Sequence, residues 1–575
     1  MTLGHQRRQD RIFPAERAEV TDRPLRLYPN WSRGQWLSSS GLATILVGLP
    51  ALTRGAGVKT LVRRIAGLLV ILFIQTVLFA VRVSANTYYI DCAGGSDSNN
   101  GASTATPWLH HPYTSNGLFT GNYTHHAGDQ FIFKGGVACT TSIQTQAGGS
   151  ASANDYYGAG DKTWYSGASW TQPIFDGGGT KPGSSTTAAA GIGIFFSSGS
   201  YITVDNFKFT GLYWTGPQNT CGPSYIGLGT GTNDIIENNT FTGWTHGTAA
   251  QTSDSFIVIC GSSSSPHNYP VTITHNTFYQ SASFGDSGLV NNNGNGALTY
   301  NTIYQMTGGF QASEGEIAYN TIHDLVSSFE AANHTNSIYP FGCGGLTTLQ
   351  VHDNLLYNVN ANNGQTVWVE GGDGCSSYYY NNVVIGGKGQ PFAIDNQFGD
   401  SSTAKIYIWN NTIVPQGANM CIGDTSARNG HSLFGTIDIE NNHCITTGIE
   451  YEFSGGIGVA NLTVGGSAIP CSSGCSGNGT GNELIQTPAA ASSQGYTSAN
   501  NYMYQPTSGT GATVGTAKDL SSKCPGISLC TDTTYGSDGR PVYGRVPGGR
   551  WDIGAFEFSG LPAPEPPTGL TATVN

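Results

Sequence analysis

The sequence contains an internal repeat of the form apolar-x-x-Asn-x-apolar, which limits the possible folds more than any other feature of the chain. The central position recurs at intervals of 19 to 37 residues, with a mean near 30. An apolar residue stands three positions before it, and an apolar residue or cysteine stands two positions after it. The central residues are Asp205, Asn239, Asn276, Asn301, Asn320, Asn354, Asn382, Asn411 and Asn442. Such a repeat indicates a solenoid, whose units bury their apolar sides by stacking.

Each repeat predicts a short strand, a bend at the central residue and a second strand. Helical repeats are excluded because no segment keeps a 3.6-residue period over ten residues, and a propeller blade needs about 40 residues or more. The predicted fold class is therefore all-β, a parallel β-helix of about ten or more coils. Asn suits the bend because it tolerates a left-handed backbone. Stacked Asn side chains are also expected to hydrogen-bond one another along the axis.

The composition agrees with many short strands joined by tight turns. Gly accounts for 81 of 575 residues, and only 10% of residues are charged, whereas ordinary chains have about 7% Gly and 25% charged residues. A helical bundle is excluded because helices need strong helix formers and surface charge. An aromatic content of 11% argues against a disordered chain.

The N-terminal region predicts export. Basic residues precede a 17-residue apolar run at 65–81, and a small-x-small site ends at Ala85. This pattern predicts a signal peptide at 58–85 that is cleaved after Ala85. The alternative is an uncleaved membrane anchor, since the run is at the lower limit for spanning a bilayer. Residues 1–57 are Arg-rich and are interpreted as a disordered extension, as the product of a start codon assigned too early, or as a cytoplasmic tail before such an anchor.

Charge and cysteine content describe the exported part further. Residues 86–575 contain 12 basic and 32 acidic residues, a net charge of about −20, which predicts no nucleic-acid binding and no stable membrane insertion. All 12 cysteines lie at or after Cys92. An even number in an exported chain predicts disulfides and a secreted, periplasmic or cell-surface location. The pairs 471/475 and 524/530 are close enough in sequence to be local disulfides.

Motifs at both ends of the repeat resemble the right-handed parallel β-helix proteins of the pectate-lyase-like superfamily. TYYIDCAGGSDSNNGASTATPW at 87–108 is similar to the opening of exported members, and GDQFIFKGG at 128–136 to their first coil. QPIFDGGG at 172–179 is similar to the next coil, and RWDIGAFEF at 550–558 to the usual final strand. The resemblance implies one β-helix domain at 86–558. Residues 559–575 look like a Pro-rich linker followed by the start of a fibronectin type III-like module.

The resemblance implies chemistry on polysaccharides. Lyases of this group use a Lys or Arg base, often with Ca²⁺ that acidifies the proton to be removed. Between positions 202 and 453 the basic residues are Lys208, Lys388, Lys405 and Arg428. Lys388 and Arg428 are the candidate bases, and the alternative is that they are solvated surface charges.

Carboxylates supply a second set of candidates. Glu314, Glu370, Asp395 and Asp424 each follow a short apolar strand on successive coils, so they are predicted to form a column at one edge of the β-helix. Two such groups can act as acid and base on a glycosidic bond, with Glu370 and Asp395 as the candidate pair. All four can alternatively hold Ca²⁺, or form an acidic stripe that only aids solubility.

Aromatic residues on neighbouring coils predict a sugar-binding strip. By strand alternation, the strip points away from the core and comprises His352, Tyr378, Tyr380, Tyr407 and Trp409. It is expected to lie in one groove with Glu370 and Asp395. The alternative is that a loop or subunit covers it.

These patterns predict an exported β-helix protein that acts on a polysaccharide or cell-surface glycan, as a lyase or a glycoside hydrolase. The alternative is a non-catalytic carbohydrate-binding or surface-structural β-helix. The small number of Lys and Arg residues favours the alternative or a neutral glycan. The fold itself does not decide between these functions.

Overall fold

A computed structural model describes residues 85–178, 193–196, 198–214, 224–246, 259–260, 270–280, 290–292, 296–306, 308–312, 315–325, 336–340, 348–359, 365–370, 374–386, 390–395, 401–416, 420–424, 433–452, 458–464, 482–499, 504–523, 526–530, 545 and 549–558. The predicted extension at 1–57, the predicted signal peptide apart from Ala85, and the tail at 559–575 lie outside these residues. No helix among the described residues is both long and apolar enough to cross a membrane.

The described strands form three long sheets, named sheets A, B and C, with 13, 11 and 12 strands respectively. Sheet A consists of Thr87–Ile90, Gln130–Phe133, Asp155–Gly158, Ile202–Asp205, Asp234–Glu237, Val271–Thr274, Gly296–Thr299, Gly315–Ala318, Thr348–His352, Ser376–Tyr380, Ser401–Trp409, Leu433–Glu440 and Gly458–Val464. Sheet B consists of Ile143–Thr145, Ile194–Phe196, Ile226–Leu228, Ile259–Cys260, Val290–Asn292, Phe310–Ala312, Ile338–Tyr339, Val367–Glu370, Phe392–Asp395, Met420–Asp424 and Ile449–Glu452.

Sheet C consists of Ala138–Cys139, Ile174–Asp176, Lys208–Thr210, Thr240–Phe241, Thr277–Tyr279, Thr302–Tyr304, Thr321–His323, Leu355–Val359, Val383–Gly386, Thr412–Pro415, His443–Ile445 and Leu484–Gln486. A small sheet pairs Tyr213–Trp214 with Thr245–His246. The described helices are the α-helix Pro488–Ser493 and the 3₁₀ helices Ser115–Gly117, Ser521–Lys523 and Ser528–Cys530.

Consecutive coils visit sheets B, A and C in turn, so each coil adds one parallel strand to each sheet. One coil runs through Ile226–Leu228, Asp234–Glu237 and Thr240–Phe241. Alternate residues of each strand point inward, and the register aligns them between coils, as for the buried Ile273 and Leu298. The fold is the predicted right-handed parallel β-helix, with one apolar core along its axis.

The bend between sheets A and C is left-handed, but not at the predicted residue. The left-handed residue immediately precedes the central position, with φ between 52° and 61° in every coil of the repeat. These residues are Asn206, Asn238, His275, Tyr300, Tyr319, Asp353, Asn381, Asn410 and Asn441. Asn, Asp and His are the non-glycine residues that adopt this conformation most readily. The central residue is thereby left free to direct its side chain inward.

The inward central residues form the predicted ladder of Asn side chains. The Oδ1 atom of Asn354 accepts hydrogen bonds from the backbone N–H and side-chain amide of Asn320, both at 3.0 Å. The Nδ2 of Asn354 donates to the Ile317 carbonyl at 2.8 Å. The same backbone-to-Oδ1 contact links Asn239 through Asn442, and the Glu483 carboxylate receives the last one at 3.0 Å. The buried backbone at each bend is therefore hydrogen-bonded.

Asp205 does not belong to this ladder, so that part of the predicted alignment is wrong. Asp205 pairs in register with Glu237, two positions before the ladder residue of the next coil. Phe207 takes the central place, and its backbone N–H donates to Asn239 Oδ1 at 2.9 Å. The error arises because the coil that contains Ile202–Asp205 has an aromatic residue where the later coils have Asn.

The described residues from 488 to 558, named the C-terminal cover, pack on the outside of the last coils. The motif at 550–558 contributes to this cover, and the prediction that it forms a final strand is wrong. Among its residues only Trp551 makes a β-bridge, an antiparallel one with Ala517. Asn410 Nδ2 donates to the Asp552 carbonyl at 3.0 Å, and Asn441 Nδ2 to the Lys518 carbonyl at 2.8 Å. Side chains at the left-handed positions thus hold the cover.

Disulfides are present, as predicted, and two of them join described residues. Cys92 bonds to Cys139, and Cys421 bonds to Cys444. Both bonds link parts of the chain that are distant in sequence, by 47 and 23 residues. The predicted local pairs at 471/475 and 524/530 lie at least partly outside the described residues.

Candidate functional site

Glu370 and Asp395 are direct register partners in sheet B. They end the neighbouring strands Val367–Glu370 and Phe392–Asp395. Neighbouring strands lie about 4.8 Å apart, so the two backbone positions are one strand spacing apart. Parallel strands end at the same edge of a sheet, where the connecting loops begin. The structure therefore places this predicted pair side by side at a loop-bearing edge.

An aromatic pair that the sequence interpretation missed lies on the same face of sheet B. Trp368 stands two positions before Glu370, and positions two apart on a strand share a face. Its ring centroid is 5.5 Å from that of Tyr339 on the neighbouring strand. Both rings are buried, although the core lies on the other face. Other parts of the chain therefore cover this face, and the alternation in Val-Trp-Val-Glu was the sequence signal for it.

The predicted column of four carboxylates is not formed as expected. Asp424 pairs with Ile394 rather than with Asp395, so it is displaced by one residue from the column. The displacement occurs because the strand Met420–Asp424 enters the sheet in a different register from the one inferred by counting residues. Glu314, Lys388 and Arg428 lie outside the described residues.

The predicted aromatic strip and the carboxylate pair do not share a groove. Tyr380 and Trp409 are register partners, as predicted, but their strands belong to sheet A, whereas Glu370 and Asp395 belong to sheet B. Only nine residues stand between Glu370 and Tyr380 in the sequence. Those residues nevertheless carry the chain from one side of the β-helix to the next, which the sequence pattern did not reveal.

The C-terminal cover buries Tyr380 and Trp409, as the alternative of a covering segment predicted, so these two rings are not exposed. Tyr380 and Trp409 are 0% and 1% exposed and pack against residues of the cover, namely Leu520, Ile527, Leu529 and Trp551. Tyr380 Oη is 2.7 Å from Ser528 Oγ. Tyr378 and Tyr407 remain half-exposed, with stacked rings 4.7 Å apart. The faces of the buried rings are not available to a sugar.

His352, the fifth predicted aromatic contact, is the centre of a buried ionic group. Its Nδ1 is 2.7 Å from Asp353 Oδ2, and its Nε2 is 2.9 Å from Glu316 Oε1. Tyr380 stacks on its ring at 4.6 Å. Burial by itself lowers the pKa of His352, but the hydrogen bonds to the two carboxylates outweigh this effect and raise it to about 9. A protonated imidazolium is thus held between two carboxylates.

A second ionic group ties the cover to the last coils of sheet A. Lys523 Nζ lies 2.5 Å from Asp438 Oδ2, 2.8 Å from Glu440 Oε1 and 5.5 Å from the centre of the Trp409 ring. Lys518 Nζ adds a contact of 3.0 Å to Glu440. Burial raises the pKa of Asp438, an effect that the Lys523 contact opposes. The group fastens the cover over the aromatic strip.

A second carboxylate pair in register lies on the early coils of sheet A. Asp205 accepts hydrogen bonds from Tyr156 Oη at 2.6 Å, Asn206 Nδ2 at 2.7 Å and Asn238 Nδ2 at 2.8 Å. Its register partner Glu237 is half-exposed. The pKa of the Glu237 carboxyl is raised, mainly by partial burial and secondly by repulsion from Asp205. The sequence interpretation missed this pair because it assigned Asp205 to the ladder.

The predicted Ca²⁺ site stays a prediction. Ca²⁺ takes six to eight oxygen ligands. Among the residues placed by the structure, no group of three or more His, Cys, Asp or Glu side chains is arranged to hold a metal ion.

Comparisons with known proteins concern the fold. No family model matches the sequence, and no curated protein matches it. Among solved structures, the chain is similar to a GH136 lacto-N-biosidase from Eubacterium ramulus, with 11% identity over 75% of this chain and 72% of that one and a TM-score of 0.40. It is also similar to pectate lyase Pel9A, with 14% identity over 83% and 97% and a TM-score of 0.35.

A third similar structure is an alginate lyase from Paenibacillus sp. str. FPU-7, with 12% identity over 55% of this chain and 92% of that one and a TM-score of 0.22. At these TM-scores the matches carry no argument about the activity of this chain. The fold assignment rests on the strand order and the parallel register of the three sheets.

Proposed function

We propose that this chain is an exported enzyme that cleaves glycosidic bonds in an uncharged polysaccharide or cell-surface glycan, with Glu370 and Asp395 as the reacting carboxyl groups. The observation that carries the proposal is their direct pairing across neighbouring parallel strands of sheet B. Cleavage of a glycosidic bond requires two carboxyl groups that flank it. The register pair Glu370 and Asp395 can supply both carboxyl groups from two neighbouring strands at one edge of sheet B, so no residue from a distant part of the chain is needed.

The strand spacing favours one of the two known geometries. Retaining enzymes have carboxyl groups about 5–5.5 Å apart, and inverting enzymes about 6.5–9.5 Å apart. Backbone positions one strand spacing apart, about 4.8 Å, allow two carboxyl groups to approach to the separation of a retaining enzyme. One carboxyl group then protonates the departing oxygen, and the other attacks the anomeric carbon to form a glycosyl ester that water hydrolyses.

The aromatic pair on the same face makes the surface beside these two strand ends apolar. Ligand sites are concave and largely apolar, with few polar groups. Tyr339 and Trp368 are buried on the outward face of sheet B, which indicates a covered surface rather than an open one. Both rings are about as buried as Tyr380 and Trp409, so they can form the apolar floor of a site but do not offer their faces to a sugar.

Charge and disulfides support the substrate class and the location. The net charge of about −20 over residues 86–575 repels an anionic polymer, which favours an uncharged glycan. Disulfides form and persist mainly in oxidising compartments, and two join described residues. Together with the signal sequence predicted at 58–85, they support export.

The test is incubation with a panel of neutral and acidic polysaccharides, followed by measurement of new reducing ends and of ultraviolet absorbance. We expect new reducing ends without absorbance from the wild-type chain. Glu370→Gln and Asp395→Asn should each lower the rate about a hundredfold or more. The matched control is Glu237→Gln, which changes the other register pair and should keep the rate within about twofold.

The other outcomes reassign the function. Loss of activity in the Glu237→Gln variant alone would place the site on sheet A. An absorbing, unsaturated product would indicate a lyase, for which Lys388 and Arg428 are the bases to test, with and without added Ca²⁺. Binding of a glycan without any cleavage would leave the non-catalytic carbohydrate-binding function.

A further inference from the structure

The outer face of sheet C carries a row of stacked rings in the middle of the repeat. Tyr279, Tyr304, His323 and Tyr357 stand on successive coils, and each is half-exposed. Their ring centroids are 5.1, 5.2 and 4.8 Å apart, and adjacent planes differ by only 3° to 7°. Because the rings stack on one another along the axis, the row presents ring edges to the outside.

A second row of rings follows the left-handed bend beside sheet C. His275, Tyr300 and Tyr319 stack at 5.0 and 4.8 Å, with planes 12° and 14° apart. His275 is exposed, Tyr300 is half-exposed and Tyr319 is 5% exposed. The two rows occupy the same three coils, four residues apart in each coil, so they run along the axis together.

A row of threonines lies between the two rows of rings. Thr277, Thr302 and Thr321 are register partners and are half-exposed. Each stands two residues from a ring of either row. These three coils therefore expose, once per strand spacing, a ring edge of the first row and a hydroxyl group, and a second ring edge is exposed at His275 and Tyr300. We name this surface, made by residues 275–279, 300–304 and 319–323, the ring-and-threonine face.

The face ends where the C-terminal cover begins. In the next two coils, the positions in register with Thr321 are occupied by Leu355 and Val383. Both residues are buried. They belong to an apolar cluster with the cover residues Ala491, Tyr496, Ala555 and Phe556. The outward positions of sheet C thus continue into an interface that the chain already forms with its own C-terminal part.

We propose that the ring-and-threonine face binds an extended, uncharged polysaccharide that lies along the axis of the β-helix. Charge selects this occupant, because the face consists of hydroxyl and ring groups within a strongly acidic chain. Its neighbouring carboxylate Asp324 is already in contact with His323 at 2.7 Å and with Asn358 at 2.9 Å. The face contains no Lys or Arg to pair with an anionic polymer, and the chain as a whole would repel such a polymer.

Periodicity supports the same occupant. The face repeats its hydroxyl and ring groups every 4.8 to 5.2 Å, and one sugar of an extended β-1,4-linked chain rises by a similar length. Successive sugars would therefore meet equivalent groups on successive coils. The proposal is independent of the catalytic proposal, because the face belongs to sheet C and the carboxylate pair to sheet B.

The experiment measures depletion of the protein from solution by insoluble cellulose and by chitin, with granular starch and calcium polygalacturonate gel for comparison. The wild-type chain should bind cellulose or chitin more strongly than the other two polymers. The double variant Tyr279→Ala/Tyr304→Ala should weaken this binding about tenfold or more, the usual effect of removing aromatic contacts. Tyr165→Ala, at a ring that is 37% exposed on another part of the surface, is the matched control and should bind normally.

A second variant separates lost binding from lost structure. Thr302→Val keeps the shape and removes one hydroxyl, so it should fold normally and bind several-fold more weakly. Equal binding by the wild type and both face variants, preference for polygalacturonate, or no binding to cellulose or chitin would overturn the proposal. Cleavage of short soluble oligosaccharides should be unchanged in the face variants, whereas Glu370→Gln should lose cleavage and keep cellulose or chitin binding.

Discussion

The middle coils and the last coils of this β-helix share one backbone pattern but have opposite outer surfaces. In the middle coils the outward column of sheet A has Thr274 and Thr299, and the same column in the last coils has Tyr380 and Trp409. The threonines are half-exposed, and the aromatic residues are buried under the C-terminal cover. The position of a residue along its strand therefore determines whether its side chain points inward or outward. Whether an outward side chain is exposed or buried depends on whether the C-terminal cover packs on it.

The interior does not distinguish the two regions. The ladder of Asn side chains runs through both with contacts of 2.9 to 3.1 Å between successive members. The left-handed bend is also the same in both. The difference lies in the cover, whose contacts with Asn410 and Asn441 come from residues 142 and 77 positions later in the chain. The middle coils therefore report the stability that the repeat provides by itself, and the last coils report that stability together with the contribution of the cover.

Removing an aromatic ring should have the largest effect where the cover lies. Trp409→Ala leaves a cavity between sheet A and the cover, so it should lower the free energy of unfolding by about 3–5 kcal/mol. Tyr304→Ala, at a half-exposed ring in the middle coils, should cost about 1 kcal/mol. Chemical unfolding of both variants measures the difference. Equal losses would show that the cover contributes nothing beyond the coils themselves.

Breaking the ladder should have an intermediate effect that is similar in the two regions. Asn320→Leu in the middle coils and Asn411→Leu in the last coils should each cost about 1–3 kcal/mol, because buried backbone partners lose their hydrogen bonds. The control Thr274→Ser changes an outward residue and should stay within about 0.5 kcal/mol. A much larger cost for one Asn would mean that the ladder supports the two regions unequally.

Titration of the buried histidines should have the smallest effect on stability. It tests the ionic group around His352, which stacks on Tyr380 at the edge of the cover. The pKa of His352 is about 9 in the folded chain, above the usual value of about 6.5. Its contribution to stability is therefore full below about pH 6.5 and is lost as the pH rises through about 9. Because Glu316 is 41% exposed and screened by solvent, we expect a loss on the order of 1 kcal/mol. Thermal melts between pH 6 and 10 measure it.

The matched comparison is His443, which titrates in the opposite direction. Burial lowers its pKa to about 4, so its neutral form is favoured and stability falls as the pH drops from about 6.5 toward 4. His352→Gln should flatten only the alkaline side of the stability profile, and His443→Gln only the acid side. An unchanged alkaline slope in the His352 variant would contradict the ionic group described around Glu316 and Asp353.

Much of the fold follows from the spacing of a few residue types. The apolar residues on either side of each Asn predicted the strands before and after the bend and the inward-facing columns. Strand alternation puts these side chains on one face, and stacking of the coils buries that face. The alignment failed at Asp205, where Phe207 replaces the ladder Asn, and at Asp424, where the strand entered in another register. Both errors come from counting residues through segments of variable length.

The candidate site was predictable only in part. Glu370 and Asp395 follow similar apolar segments, and their pairing in register follows from the repeat. Their separation from Tyr380 and Trp409 did not follow, because the sequence pattern does not mark where the chain turns from sheet B to sheet A. The buried pair of Tyr339 and Trp368 was overlooked for the same reason, since it required knowing which strands neighbour one another.

The sequence alone determined the repeating backbone, the direction of the side chains and the Asn ladder, because these depend on interactions between adjacent coils with one recurring pattern. Only the tertiary structure decided which outward columns are buried. That outcome depends on where the C-terminal cover packs, and the contacts of the cover reach back as far as 164 positions, from Arg545 to Asn381. Alternation along a strand specifies the face of a residue, but the residue's exposure is set by whatever else the chain places on that face.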